Sequence, residues 1–422
     1  MAVTVPRAYL SFLSSSSSFF LGSHDQLAGP MFSFFLLLLC ITRVWAYEVI
    51  HDYSGSNFFN GWDFYGSWDN LTLGDVVWVD QTDAFNSHLA FVNDAGHAVL
   101  RVDNTTVVPF NEKRNSVRIT SQASYDIGSL WIVDIVHLPY GCSVWPAFWT
   151  MGTLWPEDGE IDIIEAINLM DHNQMALHST PGCTQASPVE QSGEPSQQPD
   201  CSQPAGCLVS ETKPNSFGIG FNNAGGGVFA AQFDVSGIFI WFWSRPNIPP
   251  SITQATSTSA IDISQWGPPS ASYPSTTCNI AQFFTSQQLV IDITLCGKWA
   301  GIPETYSPMC SQIGPTGQCY PDNVVGPGDR YDDAYFEINY LRAYTTNPSI
   351  PAPTVGAIAL SSFSSSATSP IPNPTAGIMT TLATSSSPAI TGAPSDSNAA
   401  MRARVPETLL VICWVVVSGL FV

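Results

Sequence analysis

Trp155-Pro156-Glu157-Asp158-Gly159-Glu160-Ile161-Asp162-Ile163-Ile164-Glu165 packs five carboxylates into nine residues of a chain in which only 11% of residues are charged. In a regular strand side chains alternate, so Glu160, Asp162 and Ile164 share one face and Glu165 turns to the other, toward the core. A lone buried Glu is costly. One β-bulge between Asp162 and Glu165 removes the conflict, because the extra residue shifts the parity and returns all three acids to a single face. The segment therefore predicts a bulged strand bearing an acidic row, with Glu157 and Asp158 in a solvated turn before it.

Around this segment, residues 47 to 345 read as short apolar or alternating runs. Examples are Val76 to Val79, Ser116 to Ile119, Trp131 to Ile135, Gly237 to Trp243 and Leu289 to Leu295. Gly, Pro, Asn and Asp punctuate them, as in Asn222 to Gly227 and Arg245 to Pro250, and almost no stretch has helical periodicity. The pattern predicts one large all-β domain, an antiparallel sandwich or jelly roll. The whole chain's 13 Trp, 24 Phe and 13 Tyr supply enough aromatic residues for a sizeable core. A net charge of −21, from 34 acids against 13 bases, repels phosphate backbones and excludes nucleic acid as a partner; a neutral polysaccharide fits it. No nucleotide or phosphate-binding fingerprint is present, so no cofactor is expected, and no local cluster names a metal site.

Three acids in one row invite glycosidic-bond cleavage. In its retaining form one carboxylate attacks the anomeric carbon, while a second, roughly 5 to 5.5 Å away, protonates the leaving oxygen and later activates water. An acid between them raises a neighbour's pKa or shares a proton with it.

Glu160-Ile161-Asp162-Ile163-Ile164-Glu165, preceded by Trp145-Pro146-Ala147-Phe148-Trp149, resembles glycoside hydrolase family 16 in its bulged, laminarinase-like branch. Arg114-Asn115-Ser116-Val117-Arg118-Ile119 upstream and Cys296-Gly297-Lys298-Trp299-Ala300-Gly301 downstream extend the likeness across residues 47 to 345, most like fungal endo-β-1,3(4)-glucanases. The resemblance implies a concanavalin-like β-jelly roll with an open cleft for β-1,3 or mixed β-1,3/1,4 glucan. It also implies Glu160 as nucleophile, Asp162 as assisting acid and Glu165 as acid/base, with Trp149, Trp155, His178, Arg114 and Trp299 along the cleft. The alternation in Met175-Ala176-Leu177-His178 points His178 to the acidic side, whereas Arg118 reads as a surface charge. Gln185 to Pro204 and Tyr306 to Asp329 look like variable loops that shape the cleft.

The ends read as addresses. Phe32 to Ile41 has signal-peptide length, with Val44-Trp45-Ala46 suited to cleavage before Tyr47 and Met31 a candidate start. Residues 346 to 397, rich in Ser, Thr and Pro, predict a glycosylated stalk. Asn398-Ala399-Ala400, a polar spacer and the apolar tail Leu409 to Val422 have the layout of a GPI signal with attachment at Asn398. The membrane is then met only through a lipid anchor on the outer cell surface. Removing Cys40 and Cys413 with these signals leaves eight cysteines, an even set that predicts disulfides of unassigned connectivity. Asn70-Leu71-Thr72 and Asn104-Thr105-Thr106 are N-glycosylation acceptors. A monomer is expected. Two other functions stay open: transfer of glucan to a glucan acceptor instead of water, and a lectin-like binder that has lost turnover.

Overall fold

In a computed structural model of the chain, residues 47–346 are described; the expectations for the leader, the stalk beyond residue 346 and the anchor signal with Asn398 fall outside them. In chain order the strands are β1 (Glu48–Ser54), β2 (Trp62–Phe64), β3 (Val76–Trp78), β4 (Ala90–Val92), β5 (Ala98–Arg101), β6 (Arg114–Ser116), β7 (Arg118–Tyr125), β8 (Ser129–His137) and β9 (Val144–Met151). They continue as β10 (Glu160–Glu165), β11 (Gln174–His178), β12 (Glu194–Pro195), β13 (Cys207–Ser210), β14 (Gly227–Asp234), β15 (Gly237–Ser244), β16 (Ala271–Pro274), β17 (Gln287–Leu295) and β18 (Tyr335–Thr345). The front sheet runs β12-β13-β11-β10-β9-β17-β7-β2, and the back sheet β16-β15-β14-β8-β18-β5-β4, with β1 also paired to β18. The expected all-β sandwich is the observed fold.

The core lies between the sheets. Phe148, Ile161, Ile163, Leu177, Ile291 and Ile293 from the front meet Trp131, Val133, Ile135, Phe229, Phe233 and Leu341 from the back in one buried cluster. Burying each such side chain stabilises the fold by about 1.5–3 kcal/mol. The back sheet is apolar on its outer face as well. Leu130, Ile132, Val228, Ala230, Trp241 and Trp243 are covered there by Ile252, Ile261 and Trp266. The Trp266 ring stands edge-on to Trp241 and Trp243, at 5.4 and 5.0 Å between centroids. That second layer explains why Gly237 to Trp243 reads as an unbroken apolar run: both faces of β15 are buried.

Ser116 to Ile119, expected as one strand, is two. The chain breaks at Val117, so β6 pairs in parallel with β3 in a small separate sheet, while β7 enters the front sheet. The eight cysteines form Cys142–Cys310, Cys183–Cys278, Cys201–Cys207 and Cys296–Cys319. These bonds tie down both segments expected to be variable loops.

Candidate active site

The expected bulge is present. Along β9 the partners of Glu160, Asp162 and Glu165 are Met151, Trp149 and Ala147, with the register shifting between Asp162 and Ile164. Met151, Trp149 and Ala147 alternate along a regular strand and so share one face; the three acids opposite them share it too. Along β11 the same acids face His178, Ala176 and Gln174. Ile163 and Ile164 both turn into the core, fully buried. Gly159 launches the strand with φ +77°, and a Cβ there would lie 2.2 Å from Phe284 Cδ1, so only glycine fits.

On this outer face the acids crowd together. Asp162 is the deepest, 3% exposed, while Glu160 and Glu165 keep partial access to solvent. Glu160 and Asp162 share a hydrogen bond, and burial followed by the Asp162 charge pushes Glu160 well above the usual carboxylate range. His178 and the Trp155 indole N–H, which donates to Glu160 Oε2, oppose that rise. Burial and then the Glu165 charge likewise raise Asp162. One Asp162 oxygen, Oδ2, has no hydrogen-bond partner, although His178 Nε2 stands 3.3 Å away, within ion-pair reach but off hydrogen-bond geometry. Glu165 is raised to about 7, first by burial, and is held by the Trp145 indole, which donates to its Oε1 at 2.8 Å. Three full negative charges so close together cannot coexist at low dielectric, so protons stay within the row.

The remaining expected residues divide. Trp155 is exposed beside Glu160, and His178 lies opposite it in register. Trp299, half-buried, stands edge-on to Trp145 at 5.3 Å. Trp149 lies on the acidic face but is only 7% exposed; its indole donates to Asp292 Oδ2 at 3.0 Å, and it offers little open ring. Arg114 is a correction. It is fully buried, and its guanidinium donates to the carbonyls of Asp103, Thr106, Val324 and Gly326 at 2.8–3.1 Å, over the ring of Tyr331. The break at Val117 is the reason, because parity does not carry from β7 back into β6. Arg118, read as a surface charge, is in fact buried on the acidic face, with its guanidinium 4.8 Å from the Tyr65 ring and 5.3 Å from that of Trp149.

Sequence reasoning missed Trp145 and Asp292 as partners in the row. Asp292 is raised to about 6 by burial, against the pull of Arg118 and the Trp149 bond. Its register partner Ala147 is also the partner of Glu165, a cross-strand relation that no local pattern signals. Glu160, Asp162 and His178 each present one potential ligand atom, all within 4.8 Å of one another, the one such metal-competent group among the described residues. Asn70 is exposed and accepts from the Tyr65 hydroxyl at 2.9 Å. The Asn104 amide donates to Asp332 at 2.6 Å, a bond that a glycan on that nitrogen would weaken or displace.

Comparison with known proteins agrees with this geometry. The chain matches the model of the XgeA-like catalytic GH16 domain over residues 62–344. A probable glycosidase of Schizosaccharomyces pombe is 35% identical over 71% of this chain and 69% of its own length. A probable endo-1,3(4)-β-glucanase of Aspergillus fumigatus is 36% identical over 71% of this chain but 45% of its own, so the present chain spans less than half of that relative. Among solved structures, an elongating family 16 β-1,3-glucosyltransferase is 37% identical, with a TM-score of 0.65, over 71% of this chain and 100% of that one. The chain therefore belongs to glycoside hydrolase family 16, within its XgeA-like catalytic group.

Proposed function

We propose that this domain is a retaining endo-β-glucanase, cleaving β-1,3 or mixed β-1,3/1,4 glucan through a covalent glycosyl-enzyme. One observation carries the reading: the bulge sets Glu160, Asp162 and Glu165 opposite Met151, Trp149 and Ala147, and so on one open face. Glu160 attacks the anomeric carbon as Glu165 gives its proton to the leaving oxygen; Glu165 then takes a proton from the water that releases the sugar. A carboxyl raised to about 7 is suited to both roles near neutral pH. Asp162 serves Glu160 by taking over the proton they share, which frees Glu160 as the anion that attacks. The A. fumigatus name supports this substrate class, and the S. pombe name supports glycosidic-bond cleavage in general. Incubating the purified protein with laminarin and lichenan is expected to release new reducing ends, and none from either polymer would refute the reading.

A second reading is favoured by the similarity to the elongating glucosyltransferase. Here the same intermediate passes to a glucan hydroxyl instead of water. Mass spectrometry of products from laminari-oligosaccharides separates the two, since elongated products belong to transfer alone.

For location we propose secretion, N-glycosylation at Asn70 and Asn104, and a GPI tether at Asn398 beyond a Ser/Thr/Pro stalk. Four disulfides in one domain support an oxidising compartment. Release of activity from cell surfaces by a phosphatidylinositol-specific phospholipase tests the anchor.

A further inference from the structure

The bulge that aligns the acids also breaks the ladder between β10 and β11. Pairing jumps from Asp162–Ala176 to Glu165–Gln174, which leaves two residues of β10 facing one of β11. Polar backbone groups stranded in a buried strand need partners. Asn173, fully buried immediately before β11, supplies them: its Nδ2 donates to the Ile163 carbonyl at 2.9 Å, and its Oδ1 accepts from the Glu165 N–H at 3.0 Å. Asn173 is itself fixed. Its own N–H donates to Ser216 Oγ at 3.0 Å, and its carbonyl accepts from Glu211 N–H at 2.9 Å.

We propose that Asn173 is a positioning residue for the acid/base carboxyl, acting through the backbone of Glu165; the proposal rests on the retaining-glycosidase reading above. The clamp is selective by place. Glu160 and Asp162 lie before the bulge, in regular register with His178 and Ala176, and keep their aim without it. Glu165 lies after it, and besides the Asn173 bond to its backbone its carboxyl has the Trp145 indole as anchor. Loosening the clamp therefore impairs proton transfer to and from the glycosidic oxygen and spares nucleophilic attack.

The test compares Asn173→Ala with the native protein on laminari-oligosaccharides, whose leaving group needs a proton, and on 2,4-dinitrophenyl β-laminaribioside, whose leaving group does not. On oligosaccharides kcat is expected to fall about 100-fold, the scale of a misplaced catalytic group, with KM almost unchanged. On the aryl glycoside kcat/KM is expected to fall only a few-fold, and azide is expected to speed turnover and give the β-glycosyl azide, because an anion replaces the water that Glu165 would have activated. Thermal melting checks that the variant is folded. If it is not, Asn173→Asp, which keeps the size and the acceptor but loses the donor to Ile163, takes its place. Equal losses on both substrates, or no loss on either, would overturn the proposal. Failure of the glycosidase reading looks different, since the native protein would then turn over neither substrate.

Discussion

On the outer face of the back sheet, Asp134 sits against Arg245 at 2.5 Å and Asp52 against Arg342 at 3.1 Å. On the outer face of the front sheet, Glu160, Asp162 and Glu165 crowd into one row with His178 as their nearest ionisable base. The first face is also roofed by Ile252, Ile261 and Trp266, whereas the second leaves Trp155 and the edges of two acids open to solvent. Structural acids are neutralised where they lie. Acids left to repel one another cost stability, and a fold keeps them where the repulsion sets the protonation states that a reaction needs.

This contrast can be broken from either side, and the largest effect is expected at the proposed nucleophile, Glu160. Glu160→Ala should lower kcat beyond the ~10²–10⁴-fold typical of losing a general acid alone, with no loss of melting temperature. Azide should restore turnover and give the inverted glycosyl azide, since the small anion fills the vacated position. On the back sheet the signs reverse. Trp266→Ala strips the roof from Trp241 and Trp243 and should cost about 3–5 kcal/mol of stability in denaturant unfolding, while kcat of the folded protein stays native. Arg245→Ala leaves Asp134 with Asn339, whose amide donates to it at 3.0 Å, and should cost about 1.5–3 kcal/mol with activity again intact.

Effects of pH sharpen the same comparison. Glu165, raised to about 7 in the fold, binds its proton more tightly folded than unfolded. Its contribution to stability is fully present below the ordinary Glu pKa of ~4.3 and is lost as pH rises through about 7. Glu165→Gln should therefore melt higher than the native protein above pH 7, with the difference vanishing below pH 4. In the native enzyme kcat/KM should fall as pH rises through the same range, as the acid deprotonates. The smallest effect is expected for Trp145→Phe: loss of the indole bond that lowers the Glu165 pKa moves this alkaline limb upward, measurable in a pH–rate profile.

How much of this was legible in the sequence follows from where the information lies. The acidic row and its bulge were readable because the parity conflict between Asp162 and Glu165 is contained in one strand. His178 was readable for the same reason, from the alternation of four residues. Arg114 was placed along the cleft by resemblance alone, and nothing in Arg114-Asn115-Ser116-Val117-Arg118 marks the break at Val117 that separates it from the acidic face. Trp145 and Asp292 were missed as partners because they meet the acids across strands, through a register that only the assembled sheet defines. The roof over the back sheet was invisible because a strand buried on both faces loses the alternation that shows which face points where. Asn173, in Asp171-His172-Asn173-Gln174, looks like any turn asparagine until its two hydrogen bonds are seen.

The most direct test of the account is to trap the intermediate. A 2-deoxy-2-fluoro laminaribiosyl fluoride should inactivate the enzyme and leave one fluorosugar on the protein, and sequencing of the labelled peptide by mass spectrometry should place it on Glu160. A label on Glu165 or Asp162, or turnover of the reagent's natural counterpart with no covalent species at all, would contradict it.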